Sequence, residues 1–300
     1  MQVPFKRVVM PTQAELLAWV RETPPAWANQ TIKSWDDVFP RSGAVDVLNF
    51  VSEERWCVGD IDINAVVGQW DHYAGCTWRD AILEPKYRAG RMVNVLHMLD
   101  KNPGYYTARI GEAKEIYFSS VDGESWYSDG GGNHRTIVAK FALAFAAEKS
   151  GRPVTLTNVH LHQYEVDWHC HSLYLRLRAL IEERDLGINI HFERHRLAQV
   201  EKGVERFGTV FFVTDWRHTG NALSNRALMN HLDSQEFCAY ANWVLASDGV
   251  LSRQDRIKVG WQKWFGRHPN SLVFPGFRAR PHTSRMQFVE ELQALAGATR

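Results

Sequence analysis

The 300-residue chain predicts an α/β (α+β) protein: a mixed sheet with flanking helices, followed by a mostly helical C-terminal region. Three observations carry this. Two β-rich runs flank Asp122-Gly123 in IYFSSVDGESWYSD, the strongest short hairpin signal. A glycine turn follows, and then Ile137, Phe141 and Phe145 recur every four residues, as on one face of a helix. After that helix VTLTNVHLHQYEV reads as a strand.

The remaining elements follow in chain order. Gln13 to Arg21 predicts a helix with Thr12 as N-cap. RWCVGDIDINAVVG, residues 55–68, predicts a short strand and a turn. Residues 85–100 carry Met92, Val95, Leu96 and Leu99 at helical spacing, and Asn102-Pro103-Gly104 stops that helix. The helix after the glycines ends at Lys149, with Gly151 to close it and Pro153 to prevent its continuation. Leu173, Leu177, Leu180 and Ile181 predict another helix. INIHFERHRL and GTVFFVTDW read as strands, and NRALMNHL, SQEFCAYANWVLAS and RQDRIKVGWQKWF as helices. The expected organisation is an N-terminal extension over 1–54, a central domain over 55–167, and an α+β region with a basic segment over 168–300.

Composition bounds the function. Hydrophobic residues make up 45% and charged residues 23%, the balance of a globular protein. No apolar run is long enough to cross a bilayer, and the N-terminus lacks the features of a signal peptide, so a cytoplasmic, non-membrane protein is expected. Cys57, Cys76, Cys170 and Cys238 form no CxxC pair, which argues against a disulfide framework or a cysteine-rich zinc site. Net charge is +1 but uneven: residues 31–84 hold ten acids and four bases, and residues 251–285 hold eight Lys/Arg and one acid, Asp255.

The chemistry concentrates in YSDGGGNHRTIVAKF, residues 127–141. A helix start leaves backbone N–H groups unpartnered and carries partial positive charge. Gly130, Gly131 and Gly132 are expected to permit positive φ and let an anion approach the backbone. Arg135 adds a forked, permanent cation suited to phosphate oxygens, and His134 a donor or proton carrier. Asp129 would hold a metal ion beside the phosphate or orient Arg135. The plain alternative is a flexible connection. The stretch is not a P-loop, having no GK[ST], nor a dinucleotide fingerprint, since the glycine spacing is wrong.

SDGGGNHRTIVAKFAL resembles the G-x-x-R box of the ParB/sulfiredoxin-like superfamily, with Gly132, Asn133, His134 and Arg135 at the box positions. VGDIDINAVVGQ resembles that family's first strand and turn, YRAGRMVNVLHML its connecting helix, and the Asp122-Gly123 hairpin the segment before the box. The resemblance covers residues 55–166. It implies a small α/β fold that binds nucleotide phosphates, or acts on phosphoryl groups or DNA, with a nucleoside triphosphate and a divalent metal such as Mg²⁺ as cofactors. Two departures matter. Asn133 stands where sulfiredoxins carry a nucleophilic cysteine, and an amide has no thiolate chemistry. The E-N-x-x-R-type motif of chromosome-partition proteins is absent from residues 85–101. The relatives that remain are the diverse ParB-like nuclease proteins of plasmids, phages and mobile elements, and a few with kinase or conjugation-inhibiting roles.

Other constellations are less specific. His160 and His162 share a strand face, with His169 and His171 close behind. These four imidazoles are candidate metal ligands or ordinary polar residues. Glu165 and Asp167, and separately Asp60 and Asp62, offer oxygen ligands for a hard cation. Arg253, Arg256, Lys258, Lys263 and Arg267 fall on or near one predicted helix with Trp261, Trp264 and Phe265 interleaved. Such a segment neutralises nucleic-acid phosphates and stacks on bases, or else forms a solvated face over buried rings. Three functions stay open: a nucleotide- or DNA-phosphate-binding enzyme, a DNA-binding module without catalysis, and an interaction protein that inhibits a plasmid-transfer or defence machine.

Overall fold

The structure is a computed structural model that describes residues 8–40, 47–70, 72–84, 86, 90–109, 111–217, 228–265, 274, 277 and 285–298. It divides into two units, Met1–Pro40 with Arg55–Tyr164, and Arg41–Glu54 with Glu165–Arg300. Among the described residues no helix is long and apolar enough to cross a membrane.

The first unit opens with α1 (Gln13–Glu22). Thr12 caps it as expected, within a capping box completed by Glu15. Residues 1–54 had been expected to form an extension. Instead Leu16 and Val20 of α1 are fully buried in the first unit's core, because the apolar face of so short a helix needs a partner to be stable. The sheet is mixed. β1 (Lys33–Ser34), β3 (Val66–Gln69) and β5 (Trp126–Ser128) pair in parallel, β5 meets β4 (Lys114–Ser120) antiparallel, and β4 pairs in parallel with β6 (Leu156–Val166). β2 (Val51–Ile61) follows β6 in the sheet order. The β4–β5 turn carries the expected Asp122-Gly123, with Asp122 accepting the amides of Glu124 and Ser125. Two short helices, α2 (Trp78–Leu83) and α3 (Arg91–Lys101), precede α4 (Asn133–Ser150). α2 was not expected. Ile137, Phe141 and Leu143 of α4 pack in the same core as Ile116, Phe118 and Val159 of the sheet. Gly151, in the left-handed region at φ 68°, closes α4 by donating to the Ala147 carbonyl.

One residue of α4 breaks the apolar pattern. Lys140 is 3% exposed. Its Nζ donates to the carbonyls of Ile63 (3.0 Å) and Val66 (2.7 Å), and it lies 4.8 Å from the rings of both Trp27 and Trp78. The ammonium thus ties α4 to the turn before β3.

The second unit contains α5 (Trp168–Arg184), β7 (Ile188–Glu201), β8 (Val204–Asp215), β9 (Leu228–Leu232), α6 (Ser234–Ala246), α7 (Arg253–Phe265) and α8 (Arg285–Ala298). β7 and β8 form a long hairpin turned at Gly203, whose φ is 83°. NRALMNHL, expected as helix, corrects to strand. Residues 228–232 pair antiparallel with Phe211–Asp215 of β8, and that ladder overrides the helical spacing of Leu228 and Leu232. α8 was also not expected.

Burial pushes the Lys140 pKa down to about 8 from 10.5, with nearby Asp62 acting in the opposite sense. Lys140→Met leaves two buried carbonyls without a donor and is expected to cost about 2 kcal/mol in chemical denaturation. Because the folded pKa is the depressed one, the unfolded chain binds the extra proton between pH 8 and 10.5. The stability of wild type relative to this variant is therefore expected to rise with pH across that window and to fall back as pH drops to 8.

Candidate functional site

The glycine turn joins β5 to α4. The Asp129 amide donates to the Tyr117 carbonyl (2.8 Å), its carbonyl accepts from Gly132 (3.1 Å), and its Oδ1 accepts from the Gly130 amide (2.6 Å). The glycines had been expected to supply positive φ. None of the three does so, and Gly132 has φ −119°. Space is the reason instead. A Cβ at Gly132 would come within 3.0 Å of Ile116 Cγ2 and 3.1 Å of its Cα, whereas one at Gly130 would meet nothing within 4 Å. Gly132 lets α4 start hard against β4, and Gly130 leaves the approach to that start open.

No side chain caps α4. Its first helical bond runs from the Thr136 amide to the Gly132 carbonyl at 2.8 Å, so the amides of Asn133, His134 and Arg135 are the open first-turn donors. Asn133 is set by a buried chain of hydrogen bonds. Thr136 Oγ1 donates to Ser128 Oγ (3.0 Å), Ser128 Oγ donates to Asn133 Oδ1 (3.1 Å), and Gln69 Nε2 donates to the Asn133 carbonyl (3.1 Å). With Oδ1 occupied, Nδ2 is the free end of the side chain. No acceptor meets it among the described residues.

A cavity of about 500 Å³ opens over this helix start. Gly130, Gly131, Asn133, His134 and Arg135 line one side, and Arg91, Asn94, Val95 and Met98 of α3 another. Tyr105, Tyr106 and His72 complete it. α3 also begins without a side-chain cap, after Gly90 at φ 59°. The first residues of both helices, Arg91 and Asn133, therefore line one cavity, and a helix start carries partial positive charge.

Among the described lining residues the fixed charges are Arg91 and Arg135, with His72 and His134 beside them and no carboxylate. Arg135 is partly committed, since its Nη1 donates to the Glu115 carbonyl at 2.9 Å and lies 3.4 Å from the Glu115 carboxylate. Arg91 has no ion pair among the described residues. His134 sits 4.9 Å from the His72 ring and 5.5 Å from Tyr73, centroid to centroid. Its pKa lies below the ordinary histidine value through burial first, then the charges of His72 and Arg91. It is therefore neutral at pH 7 and able to accept a proton. Burial also raises Tyr105 and Tyr106, against the pull of Arg135.

Several expected residues lie elsewhere. Asp129 is spent on the turn and does not line the cavity, and Arg135 is oriented by Glu115 rather than by Asp129. Gly132 is not among the residues that line the cavity. His160 stacks on Tyr117 (4.5 Å, 9° between planes), and His162 lies 4.2 Å from Tyr164. His169 and His171 belong to α5 in the second unit. Among the described residues no three His, Cys, Asp or Glu gather as a metal-ligand set. Asp60 engages Arg109 and the Asn158 amide, and Asp62 caps a turn at Asn64. Arg253, Arg256 and Lys258 are exposed on α7, while the Lys263 side chain and Arg267 lie outside the described residues. Arg91 and His72 were missed. Arg91 had a signal, for it follows Gly90 at a helix start as His134 and Arg135 follow Gly132.

No protein-family model, curated protein or solved structure matches the chain. What the fold and the site define is a mixed α/β protein whose first unit holds a cationic cavity over the start of α4.

Gly132→Ala is expected to lower stability by about 1–2 kcal/mol, because the methyl group meets Ile116 backbone and the helix start must shift. Gly130→Ala, which meets nothing, is expected to leave the melting temperature unchanged. His134 is expected to titrate below 6.5 in the free protein when followed by NMR. A phosphate beside it favours the imidazolium, so inorganic phosphate is expected to raise that midpoint. Phosphate affinity then strengthens as pH falls through it, against the fixed charges of Arg91 and Arg135 and the neighbouring His72.

Proposed function

We propose that the first unit binds the phosphate of a nucleotide or of DNA at the start of α4, as a ParB/sulfiredoxin-like protein acting on phosphoryl groups. One observation carries the reading: the uncapped start of α4, two arginines and two histidines line one cavity, with no carboxylate among its described lining residues. Backbone amides of residues 133–135 and Asn133 Nδ2 take phosphate oxygens. Arg91, unpaired among the described residues, and the free nitrogens of Arg135 supply charge-assisted bonds. His134, neutral at pH 7, accepts the proton of an attacking hydroxyl in hydrolysis or phosphoryl transfer. The Gly132–Arg135 box, in its strand–turn–helix setting, supports the family assignment.

The donor set fits a triphosphate. Among the described lining residues the side-chain oxygens are those of Asn94, Asn133, Tyr105 and Tyr106, with no carboxylate, so a Mg²⁺ would be held chiefly by the phosphates. Isothermal titration with ATP and CTP, with and without Mg²⁺, tests the reading. Arg91→Ala and Arg135→Ala are each expected to weaken binding at least tenfold, by loss of a charge-assisted contact. Unchanged affinity in both variants overturns it.

A second reading rests on α7, where Arg253, Arg256 and Lys258 are exposed beside Trp261, itself 65% exposed. If this segment carries the DNA affinity, charge reversal at Arg256 and Lys258 removes salt-sensitive DNA binding and Arg135→Ala does not.

A further inference from the structure

Two thiols far apart in the sequence, Cys170 and Cys238, meet in the second unit. Cys170, in the first turn of α5, is fully buried beside Leu173, Phe211 and Phe237. Cys238, on α6, packs against the same cluster but is partly exposed. Their side chains share a hydrogen bond, and Ser234 at the start of α6 also bonds Cys170. The shared bond puts the two sulfurs in different states. It raises the Cys170 pKa, together with burial and the charges of Cys238 and Asp167, against the Ser234 bond. It lowers that of Cys238, against burial and the charges of Asp167 and Asp233. Cys170 Sγ is therefore the donor, and thiolate character falls on the sulfur that reaches solvent. Both thiols are free, and among the described residues no metal-ligand set includes them. A buried thiol alone is inert, and an exposed thiol alone oxidises onward without return. The pair has an attackable sulfur at the surface and a second thiol in contact to resolve it.

We propose that Cys170 and Cys238 form a reversible dithiol–disulfide pair in the second unit, with a hydroperoxide as the oxidant. The Cys238 thiolate attacks a peroxide oxygen. An S–O bond forms, the O–O bond breaks, and the departing hydroxide takes up the proton that Cys238 had released. Cys170 Sγ then attacks Cys238 Sγ. The S–S bond forms, the S–O bond breaks, and the second hydroxide leaves with the Cys170 proton as water. The thiols lose two electrons and two protons in all, and hydrogen peroxide becomes two waters. The disulfide joins the start of α5 to α6 and encloses β7, β8 and β9 in one covalent loop. That link restricts the unfolded chain, so oxidation stabilises the second unit. Cys57 and Cys76 belong to the first unit and take no part.

The experiment treats the full chain with hydrogen peroxide, blocks the remaining thiols with iodoacetamide, and maps unreduced peptides by mass spectrometry. A peptide pair linked through Cys170 and Cys238 is expected, and dithiothreitol is expected to separate it. The oxidised chain is expected to melt about 5 °C or more above the reduced one. Before oxidation, iodoacetamide is expected to label Cys238 of the folded chain at least roughly tenfold faster than Cys170. Cys170→Ala removes the resolving thiol, so Cys238 is expected to stop at a sulfenic acid that dimedone captures. Cys238→Ala is expected to abolish oxidation at Cys170. Thermal melting checks that both variants fold, and the wild-type measurements need neither. Cys170 and Cys238 both still free after peroxide treatment overturn the proposal. So does a disulfide that runs to Cys57 instead, labelling of Cys170 ahead of Cys238, or an oxidised chain that melts no higher than the reduced one.

Discussion

The start of α4 is held by the buried hydrogen-bond chain from Thr136 through Ser128 to Asn133, with Gln69 on the Asn133 carbonyl. These four side chains come from β3, β5 and the first turn of α4, so the chain fixes the helix start against two strands at once. It also decides what remains free. An asparagine at the N-cap would turn its side-chain oxygen onto the first-turn amides, but that position is Gly132 and Asn133 is the first helical residue. Here Ser128 donates to its oxygen, and among the described residues neither Nδ2 nor the first-turn N–H groups meet a side-chain acceptor. The open end of the helix follows from a buried network rather than from a flexible loop.

That arrangement stores unfavourable electrostatics. Burial disfavours charge on His134, and His72 and Arg91 add to it. The start of α4 adds further partial positive charge. Among the described residues Glu115 offers compensation, to Arg135. A site of this kind gains free energy when an anion enters, because the repulsion is already present in the free protein. Lys140, two turns further along the same helix, shows the contrasting solution. Its ammonium is buried too, but two carbonyls and two indole faces surround it, so it anchors the helix and has no unmet demand for a ligand.

Local signals made much of this legible. Thr12 marked the start of α1, Asp122-Gly123 the hairpin, and Gly151 the end of α4, because capping and turn chemistry act over a few residues. The site was legible only on its α4 side. Arg91 and His72 lie about 40 to 60 residues from the glycine turn, and only the packing of α3 and of the segment after β3 brings them to it. The glycines were visible but their reason was not. Positive φ is a local property, whereas the Ile116 backbone that excludes a Cβ at Gly132 belongs to another strand. β9 failed for the same cause, since its pairing with β8 is long-range.

Asn133 illustrates why sequence comparison at this box has to be read together with packing. As a letter in a motif it removes a thiolate nucleophile and leaves the chemistry undefined. In the folded chain it joins two environments, since its Oδ1 belongs to the buried network while the residue also lines the cavity. A cysteine there could make neither contact at comparable strength, since its thiol is a weak donor and a weak acceptor. A ligand that bonds Nδ2 and the first-turn amides pulls on the same chain of hydrogen bonds that fixes α4 to β3 and β5. Binding and local stability are then linked through one residue, and an anion that occupies the cavity stabilises the helix start in proportion to its affinity. The polar network and the cationic cavity are in that sense a single device, and Asn133 is the residue they share.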